Sequence, residues 1–380
     1  MKFVFAPDSF KGSLSANKVC KLLTKVATRY YETAEIDSIP VADGGEGTVE
    51  ALIASTKGRK ESVIVTDPMG RLTKAIYGIL GDCETAVIEM AQTSGLPLVS
   101  RNERNPLSAS SYGTGEMIAH VLQKGYRKLL IGLGGSATND GGMGVLSALG
   151  ARFFDRGGRV LRGSGGELEC VDKVDMSGLI PSLRETEIIV LSDVSNTLLG
   201  ENGATIVYGP QKGATGSVID RLEAGMVHYA NVMRETTGES ISDIAGSGAA
   251  GGMGAAFAGV LKAPIRPGIS TILDIVDFDG RIRGASLVIT GEGRIDGQSI
   301  RYGKVVAGVA KRCAMQNVPV IAIAGGMTED ADGLYSLAES SIMTTTNGIM
   351  DIEYAMENAE DLFLSAADRM FRMLRIGSKM

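Results

Sequence analysis

The feature that most limits what this chain can fold into is a pattern repeated at both of its ends. A short apolar run gives way to a loop of small and acidic residues, and apolar residues at helical spacing follow. Residues 2–6 read as a strand, Pro7-Asp8-Ser9-Phe10-Lys11-Gly12-Ser13 as a loop, and Val19, Leu22, Leu23 and Val26 fall at i, i+3, i+4 and i+7 behind a candidate N-cap at Ser15. A strand near residues 34–39, the loop Ala42-Asp43-Gly44-Gly45-Glu46-Gly47 and a helix carrying Val49, Leu52 and Ile53 repeat the unit. Far along the chain, residues 287–290 lead into Gly291-Glu292-Gly293-Arg294-Ile295-Asp296-Gly297-Gln298, then a helix with Val305, Val306, Val309 and Cys313. A strand at residues 318–324 ends in Gly325-Gly326. A further strand lies at residues 342–346, and one long amphipathic helix carries Ile352, Met356, Phe363, Met370 and Leu374. Strands alternating with helices imply an α/β fold with a parallel sheet covered on both faces.

The middle of the chain is more irregular, with candidate strands at residues 86–90, 128–132 and 187–191. The expected architecture is a Rossmann-like domain built from residues 1–60 and 284–380, with a second, glycine-rich α/β domain of residues 61–283 inserted. Composition matters here through glycine: 51 of 380 residues, almost twice the average ~7 % usage. Proline numbers only 10 and there is no G-X-Y period, so collagen-like or disordered readings drop out. The glycines serve turns or close backbone approach.

Other classes fall away as well. The formal net charge is −6 and no Lys/Arg-rich run occurs, which argues against a nucleic-acid partner. No apolar stretch reaches the ~18–20 residues of a membrane span, and no signal-peptide core is visible, so a cytoplasmic protein is expected. Cys20, Cys83, Cys170 and Cys313 lie far apart and read as reduced, mostly buried thiols. His120 and His228 are the two histidines, both read as structural. Walker A, protein-kinase and G-x-S-x-G motifs are absent.

The glycine loops carry the candidate chemistry. In Gly132-Leu-Gly-Gly-Ser-Ala-Thr-Asn-Asp-Gly-Gly142, the residues Gly134, Gly135 and Ser136 would offer backbone N–H groups to an anion near a helix N-terminus. Asn139 and Asp140 would hold a metal or cap the helix. Asp8, Ser9 and Lys11 fall at a strand's C-terminal end, where open α/β sheets bind ligands; Lys11 is a candidate phosphate or carboxylate contact. Asp43 and Glu46 come at the next strand end, though the pair also fits a capping box. Glu292 and Asp296 offer oxygen ligands suited to Mg²⁺. Asp193, after the strand at 187–191, could orient a substrate hydroxyl or accept its proton. Lys212 sits in a turn. Two partial matches to the dinucleotide fingerprint, Gly132-x-Gly134-x-x-Ala137 and Gly246-x-Gly248-x-x-Gly251, keep an NAD-dependent oxidoreductase acting on a small hydroxy acid as the alternative.

Taken in order, eight stretches resemble the glycerate kinases of bacterial sugar-acid pathways. They are Ala6-Pro-Asp-Ser-Phe-Lys-Gly-Ser13, Pro40-Val-Ala-Asp-Gly-Gly-Glu-Gly47, Ile88-Glu-Met-Ala91, Gly132 through Gly142, Asp193-Val194, Gly209-Pro-Gln-Lys-Gly-Ala214, Gly248-Ala-Ala-Gly-Gly252 and Thr290-Gly-Glu-Gly-Arg-Ile-Asp296. Leu191-Ser192 departs from the family's more usual Ala-Cys, and no motif covers residue 351 onward. The resemblance implies an ATP-dependent, Mg²⁺-using kinase acting on D-glycerate, with two domains, an active site in the cleft between them and 2-phosphoglycerate as product. In such an enzyme the loop from Gly132 would cradle phosphate, and Lys11 would neutralise the transferring group or the glycerate carboxylate. Some of Asp8, Glu292 and Asp296 would hold Mg²⁺, and Asp193 would orient the attacking hydroxyl. Arg71, Lys212 and Arg294 are alternative carboxylate clamps.

Overall fold

A computed structural model describes residues 1–301 and 303–379, apart from the Gln298 side chain. The chain divides into two compact units: Met1–Asp43, Glu50–Lys57 and Gly268–Met380 form the first, and Gly44–Val49 with Gly58–Pro267 the second. The helices Gly268–Ile275 and Phe278–Arg281, which the sequence reading placed in the inserted segment, belong to the first unit. Helix Gly268–Ile275 packs there on helix Val305–Ala314, with Ile269 lying against Gly308.

The first unit holds a five-stranded sheet in the spatial order Ser340–Thr344, Val320–Met327, Leu287–Ile295, Lys2–Phe5, Glu35–Ser38. Every pair in it is parallel. Numbered within the unit, the order is 2-1-3-4-5, the flavodoxin-like form of the doubly wound sheet. Its reversal point lies between strands Lys2–Phe5 and Leu287–Ile295. Both faces are covered, as continuous apolar strands require. On one face helices Ala16–Tyr30 and Ala359–Gly377 bury Val19, Leu22, Leu23, Phe363 and Phe371 against Phe3, Phe5 and Ile289. On the other, Val306 and Ala310 pack with Ala322, Ala324 and Leu334. Ser15 does cap its helix, accepting from the Lys18 N–H at 3.3 Å.

Two local expectations are corrected. Strand Leu287–Ile295 runs through the segment expected to be a loop, pairing Glu292 with Ala324 and Arg294 with Gly326. Small residues permit this: a β-carbon on Gly291 would stand 2.1 Å from the Ile323 carbonyl oxygen, and one on Gly325 2.5 Å from that of Gly293. The C-terminal helix is also not continuous. Helix Ile352–Glu357 ends at Asn358, whose φ/ψ of −103°/19° leave the helical region and whose side chain bonds the Tyr354 carbonyl.

The second unit is built on a six-stranded sheet ordered Ile265–Arg266, Glu187–Leu191, Lys128–Gly132, Thr85–Glu89, Leu72–Ile79, Arg59–Thr66. The first four strands are mutually parallel; the last two form an antiparallel hairpin that the sequence reading did not separate. Cys20 and Cys313 are buried, whereas Cys83 and Cys170 are exposed. His120 packs edge-on to Tyr77, and His228 bonds the Val171 carbonyl, both structural roles. No described helix is long and apolar enough to cross a membrane.

Candidate active site

In an open parallel sheet the crevice forms beyond the strand C-termini at the reversal point. The first unit has a cavity of about 600 Å³ there, lined by Asp8, Ser9, Lys11, Asp43, Glu292, Arg294 and Lys304 among others. Asp8 follows strand Lys2–Phe5 and is held by its backbone, its N–H donating to the Gly291 carbonyl at 2.8 Å. Glu292 lies on the neighbouring strand. The structure thus collects Asp8, Ser9, Lys11, Asp43, Arg294 and Glu292 of the sequence-derived set around one cavity.

The electrostatics of this group are unusual. Asp8 is 4 % exposed and Glu292 8 %. Burial first, then the Asp43 carboxylate, pushes the Asp8 carboxyl up to about 7, against the pull of the Ser9 amide and Lys11. Burial and then the charge of Asp8 push Glu292 up to about 8. Lys11 lies 3.5 Å from Asp43. Desolvation works against its ammonium, but the carboxylates of Asp43, Asp8 and Glu292 outweigh it and hold its pKa above the ordinary lysine value. The Glu292 Oε1 atom is buried and has no hydrogen-bond partner among the described residues. An orphaned buried carboxylate oxygen is costly to a fold and marks a site built for something else.

Asp296 stands apart from this group. It does not line the cavity; its carboxylate accepts the Ser299 N–H at 2.8 Å, which holds its pKa below the usual range. It thereby caps helix Gly297–Arg301.

The remaining sequence-derived residues lie in the second unit. Asp140 is fully buried and accepts hydrogen bonds from the Ser111 N–H and hydroxyl (both 2.7 Å) and from the amides of Gly142 and Gly144. It caps helix Met143–Ala148 from the preceding loop, so amides at that N-terminus already have an acceptor, and burial raises its pKa. Asn139 is buried and donates to the Thr205 hydroxyl at 3.0 Å. Lys212, expected in an exposed turn, is 1 % exposed and donates to the Thr138 carbonyl at 2.7 Å. Burial brings its pKa down to about 7. The Gly134-Gly135-Ser136 loop is braced by the short helical turns at Ala91–Ser94 and Leu96–Leu98: Leu96 N–H donates to the Gly135 carbonyl and Ala137 N–H to that of Ser94. Asp193 is half-buried just after strand Glu187–Leu191. Glu46 is exposed and Asp43 pairs with Lys11, so these two do not form the capping box. Glu89 takes that role, accepting the Val49 N–H at 2.6 Å while buried. A glutamate interrupting the apolar run Ala86–Met90 was the sequence signal for it. Arg71 is engaged by Asp67 and Glu103.

The dinucleotide alternative loses its structural context. No strand precedes Gly246, and Asp155, the acidic residue downstream of Gly132, closes a tight turn by accepting the Gly157 and Arg159 amides.

Comparison with known proteins agrees with the sequence resemblance. Residues 3–375 match the glycerate kinase family. The chain is 43 % identical over 379 residues to glycerate 2-kinase of Escherichia coli (strain K12), covering 100 % of this chain and 99 % of that protein. It is 43 % identical over 361 residues to glycerate kinase of Bacillus subtilis (strain 168), covering 95 % and 94 %. A crystal structure of a protein assigned as glycerate kinase 2 from Salmonella typhimurium LT2 superimposes over 100 % of both chains, with a TM-score of 0.89 at 42 % identity.

Proposed function

The chain belongs to the glycerate kinase family, and from that premise we propose that it transfers the γ-phosphoryl group of ATP to D-glycerate in the cytoplasm, giving 2-phosphoglycerate. The observation that carries the chemistry is the pair of buried carboxyls, Asp8 and Glu292, whose proton affinities lie near neutrality beside the charged Lys11. An alcohol acceptor must lose its proton during transfer, and a base with a pKa near the working pH does this best. Asp8 is assigned that proton. Lys11, held cationic by three carboxylates, meets the glycerate carboxylate or the transferring phosphoryl group, and Arg294 and Lys304 add positive charge around the same cavity. Asp193 remains the candidate for orienting the hydroxyl, and the Gly134–Ser136 backbone for contacting phosphate.

Mg²⁺ fits the donors present. Among the described residues no group of three or more His, Cys, Asp or Glu is arranged to hold a metal alone. Mg²⁺ usually takes only one or two carboxylates plus substrate phosphate oxygens. The unpartnered Glu292 Oε1 supplies such a ligand, with Asp8 beside it. Bound there, the ion would neutralise charge on the phosphate oxygens.

The test is a coupled assay for ADP over a panel of hydroxy acids, with phosphorus NMR of the product. ATP-dependent turnover of D-glycerate to the 2-phosphate is expected, and Asp8→Asn should lower kcat by at least about 100-fold, as loss of a general base does. Turnover that requires a nicotinamide cofactor, or an Asp8→Asn variant with near-full kcat, would overturn the assignment.

A further inference from the structure

Glycerate and polyphosphate leave one wall of the first unit's cavity without a counterpart. Besides its charged residues, the cavity is lined by Met327, Met350, Ile352, Ala355, Met356 and Ala359. Ile352, Ala355 and Met356 stand at i, i+3 and i+4, the spacing with which a helix buries itself on a core, and Ala359 opens the next helix. Here that stripe faces the cavity. Helix Ile352–Glu357 contains no buried residue, and Ile352 and Met356 remain 68 % and 42 % exposed. Glycerate carries an oxygen on each of its three carbons and offers no apolar face. A cavity of about 600 Å³ is in the range that encloses a drug-sized ligand, far beyond a three-carbon acid. The ligand that satisfies both halves has a flat apolar end and a polyanionic end.

We propose that this methionine-rich wall binds the purine base of the nucleotide, with Lys11, Arg294 and Lys304 of the same cavity available to its phosphates. The inference rests on the reading of the enzyme as ATP-dependent. Methionine suits the role: its thioether is polarisable, packs favourably against aromatic rings and adapts to their shape. Phe10 also lines the cavity and adds aromatic contact area beside the methionines.

Photolabelling of the whole enzyme with 8-azido-ATP tests this. Label is expected on the peptide containing residues 350–356, with protection by ATP and by adenosine. Met356→Ala should raise KM for ATP about tenfold, the scale of one buried methionine side chain. KM for D-glycerate should stay within about twofold, and Met356→Leu should restore the wild-type value, since the contact is apolar contact area. Label confined to residues 58–267, no protection by adenosine, or an unchanged KM for ATP in Met356→Ala would overturn the base wall while leaving the ATP-dependent reading intact. A wild-type enzyme that forms no ADP with D-glycerate would overturn that reading, and the wall with it.

Discussion

The paired carboxyls make a prediction about stability that needs no substrate. A carboxyl whose pKa is higher in the folded than in the unfolded state keeps its proton longer when folded, so the folded state binds more protons between the two values. Stability then falls as pH rises through that window. For Asp8 the window runs from 3.8 to about 7, and for Glu292 from 4.5 to about 8. The Glu292 shift contains the Asp8 charge, so the two titrate as a coupled pair and one retained proton is the minimum count. One proton corresponds to about 1.4 kcal/mol per pH unit, or roughly 2–3 kcal/mol between pH 5 and 7. The perturbation is the double variant Asp8→Asn/Glu292→Gln, which keeps the shapes and removes both titrations. Urea unfolding in EDTA at pH 5, 6 and 7 is the assay, and the quantity read is the double variant's stability minus that of the wild type. Glu89 and Asp140 are also raised by burial, but they titrate in both proteins and cancel. Lys212, with a pKa of about 7, is likewise present in both proteins and cancels. The variant's advantage should grow by roughly 2–3 kcal/mol from pH 5 to 7. An advantage that stays constant to within about 0.5 kcal/mol would show that Asp8 and Glu292 ionise as ordinary carboxylates, and the proton-acceptor assignment would go with it.

Lys212 behaves in the opposite sense: its folded pKa lies below the unfolded value of 10.5, so wild-type stability should rise above pH 7. Lys212→Met should abolish that rise, on the order of 2 kcal/mol between pH 7 and 9 by urea titration. At Gly251 (φ +68°), an added β-carbon would stand 2.0 Å from the Thr138 carbonyl oxygen, so Gly251→Ala should cost at least about 3 kcal/mol in thermal or urea unfolding. Gly216→Ala, at the start of helix Gly216–Thr237 with nothing near the added carbon, serves as the control and should be neutral or stabilising by up to about 1 kcal/mol.

The doubly wound sheet was readable because its signals are local. Apolar runs such as Lys2–Phe5 and Val320–Met327 are continuous, as strands buried on both faces must be, and the following helices show their buried stripe directly. The positions of Asp8, Asp43 and Glu292 at one sheet edge followed from that grammar alone. The break at Asn358 was not readable, because Ile352 and Met356 keep the same period as Phe363 and Met370. Periodicity reports which face is apolar, and it does not report whether that face meets a core or a cavity.

Three of the candidate residues have backbone partners. Lys212, a candidate carboxylate clamp, donates to the Thr138 carbonyl; Asp140, a candidate metal ligand or helix cap, accepts the Gly142 and Gly144 amides as a cap does; and Asp296, a candidate Mg²⁺ ligand, accepts the Ser299 amide. A glycine-rich loop exposes many amides and carbonyls with no side chains of its own to satisfy them. Charged residues elsewhere in the sequence are then recruited to do so, and a charge in such a loop is as apt to serve the loop as a ligand. What separates Glu292 from these three is the missing partner. Its carboxylate sits on a strand whose backbone groups are already paired with Val320–Met327, so no local amide claims it and Oε1 has no partner among the described residues. The glycines at 291 and 325 that let those strands close up therefore have a chemical consequence. They extend the ladder past the point where a loop would begin, and so keep a carboxylate buried at the sheet edge with its lone pairs unspent.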